Sequence, residues 1–399
     1  MGHMEKEKNK RRVGILTHYY DSDNYGGVLQ AFALCKVIND MGYEAEQICM
    51  PVECVPFSDN SEKQKKQRPK FISRVWDKLM RSIFGVDEIC ANRKKAVTTF
   101  ADAYVPHSAE VYRKGAIKET IELYDIFVTG SDQIWNTDYY VPAFFLDFVP
   151  DEKPKFSYAA SIAKDSLTDA ERLYFKEKLR SYIGVSVREK NAVKLLQQLS
   201  PVNVEWVVDP VFLISHSEWD KIADKKNKVE RRYIFCYFLG DNRVSREIAR
   251  KYANKEGLAI VTVQYLGKKY RREERLFGNI RIKCASPEEF VSLIKHAEIV
   301  VTDSFHAIAF SAILGKSFVA TQRGYANEMI SRLDNILLLL DEKNRFVSNK
   351  KYSENKYDIP KDCNAQKWQE SIEKKRLESL NYLRECLKRA GAISDGFRQ

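Results

Sequence analysis

The sequence is short of the residues that build unusual folds. Its 17 glycines and 11 prolines are ordinary or low for 399 residues, which excludes collagen-like and low-complexity structure. No apolar run reaches the roughly 18 residues of a membrane span; the best stretch, 299–320, is broken by Asp303, His306 and Lys316. The eight cysteines are scattered, and no two show the spacing of a zinc or redox motif, so they read as reduced thiols of a cytosolic protein, mostly in its core. Neither a GxGxxG turn nor a phosphate loop ending in Gly-Lys-Ser/Thr occurs. No His, Cys, Asp or Glu cluster has recognisable metal-ligand spacing, and no required metal is expected. Met1-Gly2-His3-Met4 reads as a tag scar before a basic tail ending at residue 12. With no apolar core before Val13 this is not a signal peptide.

What is present is ample material for packed cores. Hydrophobic residues make up 44 % and aromatic residues 12 %, which excludes global disorder, and the length predicts two domains. The 66 Lys and Arg against 55 Asp and Glu leave a net charge of +11, which favours anionic partners: phosphate, nucleic acid or an acidic membrane surface. The basic runs at 63–70 and 268–275 read first as solvated loops, with a membrane surface as the sharper alternative. They lack interleaved stacking aromatics, so nucleic-acid binding is not expected.

The apolar run at 13–17 is followed by a polar, glycine-bearing turn and then by helical spacing up to Gly42, the opening of a parallel α/β unit. Strands are predicted at 44–50, 124–129, 156–161, 184–187 and 204–208, and helices at 168–182 and 189–199. A mainly helical excursion spans 58–123, with helices at 71–84 and 88–104. This N-terminal α/β domain is placed at 13–215. After a charge-dense junction the plan restarts at 216–365, with strands at 233–239, 258–264, 298–302 and 317–321. Residues 366–399 read as an amphipathic closing helix that could pack back across the junction. The fold class is therefore α/β, with two Rossmann-like doubly wound domains facing a cleft. In such folds ligands favour the carboxyl ends of strands, where the loops of both domains meet.

Three strand-to-helix junctions carry chemistry. At the first, Asn24, Tyr25, Gly26 and Gly27 offer close backbone approach and helix amides to an anion, or simply a capped tight turn. At the second, Ser131, Asp132, Gln133 and Asn136 could orient sugar hydroxyls and Trp135 could face a sugar ring, although Ser131 or Asp132 could equally cap a helix. The third is Thr302-Asp303-Ser304-Phe305-His306, which sets His306 in the first turn of an apolar helix. That is the best position for a general acid/base, with His18, at the end of the first strand, a weaker second. Arg188, Arg323 and Arg332 are candidates to hold a phosphate or carboxylate, though a single arginine is commonly a solvated surface residue.

Taken in order, Asn24-Tyr25-Gly26-Gly27-Val28-Leu29-Gln30, Gly130-Ser131-Asp132-Gln133-Ile134-Trp135-Asn136, Ser157-Tyr158-Ala159-Ala160-Ser161, Ser186-Val187-Arg188-Glu189, Val208-Asp209-Pro210-Val211-Phe212-Leu213 and Thr302-Asp303-Ser304-Phe305-His306 resemble the polysaccharide pyruvyl transferases. The resemblance implies a two-domain fold of the glycosyltransferase B type. It also implies transfer of pyruvate from phosphoenolpyruvate, a co-substrate and not a cofactor, to a hexose of a surface polysaccharide or its lipid-linked precursor. On it, His306 is the family's helix-start histidine, and Arg188 and Glu189 its arginine and glutamate after a strand. Many members carry an arginine two residues before the histidine, where this chain has Ser304, so Arg332 and Arg323 become candidates for that role. The implied division is His306 and Asp132 in catalysis; Arg188, Arg332, Arg323, Ser304, Asn24, Gly26 and Gly27 at the donor; Ser131, Gln133, Trp135, Asn136, His18 and Tyr25 at the acceptor. A nucleotide-sugar glycosyltransferase of the same architecture, and a non-catalytic, membrane-peripheral sugar-binding component of polysaccharide assembly, are the competing readings.

Overall fold

The computed structural model describes residues 10–57, 71–113, 115–223, 229–265, 272–324, 330–357 and 362–397. The tag scar, the basic run at 63–70 and most of the charge-dense junction lie outside them. In the N-terminal lobe β1 (Arg12–Leu16), β2 (Glu44–Cys49), β3 (His107–Val111), β4 (Ile126–Thr129) and β5 (Lys155–Ser157) form a parallel sheet in the order β3-β2-β1-β4-β5. The pair β6 (Val185–Val187) and β7 (Val204–Trp206) joins its β5 edge through single bridges, Phe156 to Gly184 and Ala160 to Val187. In the C-terminal lobe β8 (Tyr233–Tyr237), β9 (Ala259–Val263), β10 (Ile280–Ile282), β11 (Ile299–Thr302), β12 (Phe318–Thr321) and β13 (Phe346–Val347) are all parallel in the order β10-β9-β8-β11-β12-β13. Each sheet reverses direction at one place, between β1 and β4 in the first and β8 and β11 in the second. Those two crevices receive the loops that carry the candidate residues.

The helices start where the sequence offers caps. Asn24 accepts the Gly26 amide at α1 (Tyr25–Asp40) and Ser304 the Ala307 amide at α10 (Phe305–Ile313). Thr168 with Glu171 at α4 (Asp169–Leu179), and Ser286 with Glu289 at α9 (Pro287–Lys295), form reciprocal capping boxes. The excursion holds α2 (Phe71–Ile83) and α3 (Val86–Tyr104). It also contributes the edge strand β3, which the sequence reading missed. That strand is mostly exposed and pairs with β2 through a register shift, so it carries little alternating pattern.

The lobes share one apolar cluster, running from Val13, Val28 and Leu34 through Phe212 and Trp219 to Phe290, Ile308 and Phe310. α13 (Ala365–Phe397) lies across both. Gln369 Nε2 donates to the Ala312 and Ile313 carbonyls of the C-terminal lobe, while Ser379 Oγ accepts the Val208 amide and Tyr382 donates to the Ser157 carbonyl of the N-terminal lobe. All eight cysteines are free thiols. Among the described residues no helix is long and apolar enough to cross a membrane.

Candidate active site between the lobes

The first turns of α1 and α10 meet across the lobe boundary. A Cβ built on Gly26 would lie 1.9 Å from His306 Nδ1, so the imidazole rests on the bare Cα of that glycine. Gly27 has a neighbouring reason to be glycine, since its Cβ would press on the His18 carbonyl at 2.5 Å. His306 Nε2 points the other way, 3.7 Å from Asp209 Oδ2, is buried and has no hydrogen-bond partner.

Asp209 follows β7 and is the centre of a buried charge array. Its Oδ2 receives Arg188 at 2.7 Å and the Ser131 hydroxyl at 3.0 Å, and its Oδ1 accepts the Val211 amide at 3.2 Å. Arg188 reaches Asp132 Oδ1 at 3.5 Å and lies 3.8 Å from Glu189 Oε1, and its guanidinium stacks 4.4 Å over Phe305 of the other lobe. Burial opposes ionisation of Asp209, but the nearby His306 imidazole and then the charge of Arg188 outweigh it and hold the carboxyl well below the usual carboxylate range. Burial lowers the pKa of His18, against the pull of Asp132, which favours its neutral form. His18 packs edge-on to Phe144 at 4.5 Å. Beside it opens a cavity of about 500 Å³ at the carboxyl ends of β1 and β2, lined by Tyr20, Asp21, Ser22, Asp23 and, from α3, Cys90 and Lys94.

The structure brings together His306, Asp132, Ser131, Arg188, Gly26 and Gly27, with His18 beside Asp132. Other expected residues have different work. Trp135 is fully buried, donates to the Phe144 carbonyl at 3.2 Å and stacks on Phe145, so it offers no face to a sugar. Tyr25 is buried against Phe290, and its hydroxyl donates to the Ala285 carbonyl, which makes it a tie between lobes and not an acceptor contact. Asn24 and Ser304 are helix caps, and Asn136 caps a short turn while bonding Gln133. Arg188 is not an open anion clamp: it is 3 % exposed and its charge is matched by Asp132, Asp209 and Glu189. Arg323 is half-buried and donates to the Asp303 carbonyl. The side chain of Arg332, near the start of α11 (Ile330–Leu340), lies outside the described residues.

Asp209, Ser161 and Gln30 were not predicted as site residues, and Glu189 was marked by the resemblance alone, with no role assigned. Each stands in one of the ordered motifs, but nothing local marks Asp209 as facing a histidine almost one hundred positions away. Gln30 accepts the Ser131 amide and donates to Thr17, whose hydroxyl donates to the Ser131 carbonyl, fixing the loop after β4 to the one after β1. Asp303 clamps the second crevice by accepting the Leu239 and Gly240 amides. Among the described residues no group of three or more His, Cys, Asp or Glu is placed to hold a metal ion.

A family profile described as Polysaccharide pyruvyl transferase matches residues 24–323. A comparison with curated proteins found no match. Among solved structures, a Listeria monocytogenes protein assigned as a UDP-N-acetylglucosamine 2-epimerase is similar at 12 % identity and a TM-score of 0.52, covering 93 % of this chain and 88 % of that one. The UDP-GlcNAc 2-epimerase of Methanocaldococcus jannaschii aligns at 12 % identity and 0.50, covering 91 % and 92 %. At these identities the likeness concerns the fold alone, two Rossmann-like lobes of the glycosyltransferase B type.

Proposed function

The chain belongs to the polysaccharide pyruvyl transferase family, and from that premise we propose that it moves pyruvate from phosphoenolpyruvate onto two hydroxyls of a hexose in a polysaccharide or its lipid-linked precursor. The product is a cyclic ketal, with release of inorganic phosphate. The observation that carries this reading is the continuous array His306–Asp209–Arg188–Asp132 at the meeting of the two crevices.

Ketal formation from an enol phosphate needs a proton on the methylene carbon, tolerance of positive charge at the adjacent carbon, and removal of two hydroxyl protons. In this reading His306 delivers the first proton, and Asp209 steadies the imidazole as it gains and loses charge. Asp132 takes the proton of the first hydroxyl as its oxygen bonds to the electron-poor carbon. Phosphate then departs with the C–O bonding pair and takes the proton held by Asp132, and the second hydroxyl adds as its proton passes to the imidazole. Arg188 acts indirectly, holding Asp132 and Asp209 at fixed spacing. Arg323 and the amides opening α10 are the groups offered to the donor's phosphate and carboxylate. The cavity beside His18, rich in hydroxyl and carboxylate acceptors, suits a neutral sugar.

Incubation with phosphoenolpyruvate and a galactoside tests the reading by phosphate release and a mass gain on the sugar. His306→Ala should lower turnover by about 10² or more. Turnover with a nucleotide sugar alone would replace this reading with glycosyl transfer. Sugar binding with no turnover of any donor, unchanged in His306→Ala, would replace it with a binding role.

A further inference from the structure

We infer that the face formed by α2 and α8 (Arg272–Leu276) docks on an anionic lipid bilayer. On α2, Trp76, Leu79 and Ile83 recur at i, i+3 and i+7, so they share one side of the helix, and they are 59 %, 49 % and 60 % exposed. Leu276 of α8 is 54 % exposed and lines one groove of about 560 Å³ together with Ile83 and Phe84. Arg275, Arg281 and Lys283 line the same groove, and all three are exposed. Arg275 also lies over the Phe84 ring at 3.4 Å, which joins the two helices into one surface. Among the described side chains nearby, Asp87 is paired with Arg81 and Glu274 with Arg246, leaving Glu88 and Glu273 as the opposing charges.

A tryptophan with aliphatic side chains on one helix face, rimmed by Lys and Arg, is the combination that favours the headgroup boundary of a bilayer. The rings and aliphatic groups sink to acyl depth and the cations meet lipid phosphates. The position also suits a substrate carried on lipid. Val86 and Ile89 of α3 line this groove, while Cys90, Ala91 and Lys94 on its following turn line the cavity beside His18. Only the width of α3 separates the two. Docking itself is independent of the reaction proposed above, since it is read by vesicle binding.

The test is co-sedimentation of the full chain with phosphatidylcholine vesicles, with and without about 30 mol% phosphatidylglycerol. Binding to the anionic vesicles should be at least about 10-fold tighter than to neutral ones, and should weaken as salt rises to about 0.5 M. Trp76→Ser with Ile83→Ser, and separately Arg281→Glu with Lys283→Glu, should each reduce binding about 10-fold or more, with melting curves unchanged because all four side chains are exposed. Leu173→Ser, at an exposed leucine of α4, should bind as wild type. Wild-type protein left in the supernatant, or α2 and groove variants that still bind fully, would overturn the inference. So would loss of a wild-type oligomer in the Trp76 and Ile83 variant with vesicle binding intact, which would make this face a protein interface.

Discussion

At Gly26 one missing methyl group sets where the His306 imidazole, the proposed acid and base, can sit. Adding it in Gly26→Ala must drive the His306 ring out of this seat and change its spacing to Asp209, and turnover should fall about 10² or more while the melting temperature moves little. Steady-state kinetics alongside a thermal melt would check both halves; near-normal turnover would mean the ring has no need of this seat. Acid stability is also decided by single residues. Asp209 and Glu171 both have folded-state pKa values below their ordinary ones, so each contributes stability above the unfolded carboxylate range that is lost as pH falls through the folded value. For Glu171 burial opposes ionisation, but Lys164, Thr137 and the Thr168 cap outweigh it and bring its pKa down to about 2. Glu171→Gln should therefore cost at most about 3 kcal/mol at pH 7 and progressively less between about pH 4.5 and 2, as urea unfolding at several pH values would show.

At the scale of elements, short pieces are held by buried polar pairs. α8 has five residues, too few for a stable helix alone, and is fastened by Glu274 to Arg246 of α7 (Arg243–Glu256), both fully buried. Arg246 lies between Phe238 and Phe277 and also donates to the Asn242 carbonyl. Arg246→Met should cost about 3–5 kcal/mol because it strands the Glu274 carboxylate, whereas Arg246→Met with Glu274→Leu should recover most of that. Denaturant melts of the two variants make the comparison. Equal losses in both would show that packing around Arg246, and not its charge, holds α8.

For the whole molecule, the lobes behave as one packed body around a sealed site. His306 is 6 % exposed, so in the reading proposed above the lobes part to admit substrates. The contacts that must yield include Arg93 of α3. It donates to the Gln264 carbonyl and the Tyr237 hydroxyl of the opposite lobe and to the Asp23 carbonyl of its own, and it lies 4.3 Å over the Tyr25 ring. Arg93→Lys keeps the charge but loses the fork. Amide exchange of the segments containing Tyr237, Gln264 and Ala285 should quicken about 10-fold, with β1, β4 and β11, which Arg93 does not touch, unaffected. Uniform quickening everywhere would instead mean a loss of global stability.

Local pattern determined a great deal of this. The apolar runs at 13–17, 233–239 and 298–302 become central strands because a strand buried on both faces needs a continuous hydrophobic sequence. Asn24, Ser286 and Ser304 begin helices because their side-chain oxygens bond the free amides. The doubling of the plan was enough to specify two Rossmann-like lobes. Edge strands such as β3 and β10, with little burial to enforce a pattern, left weak traces. What tertiary structure alone decided is which side chains meet. Trp135 and Tyr25 lie beside site motifs and went to packing, while Asp209, never marked out locally, became the partner of His306. A residue's neighbours in a folded chain come from elements far apart in sequence, and a buried carboxylate takes its chemistry from them.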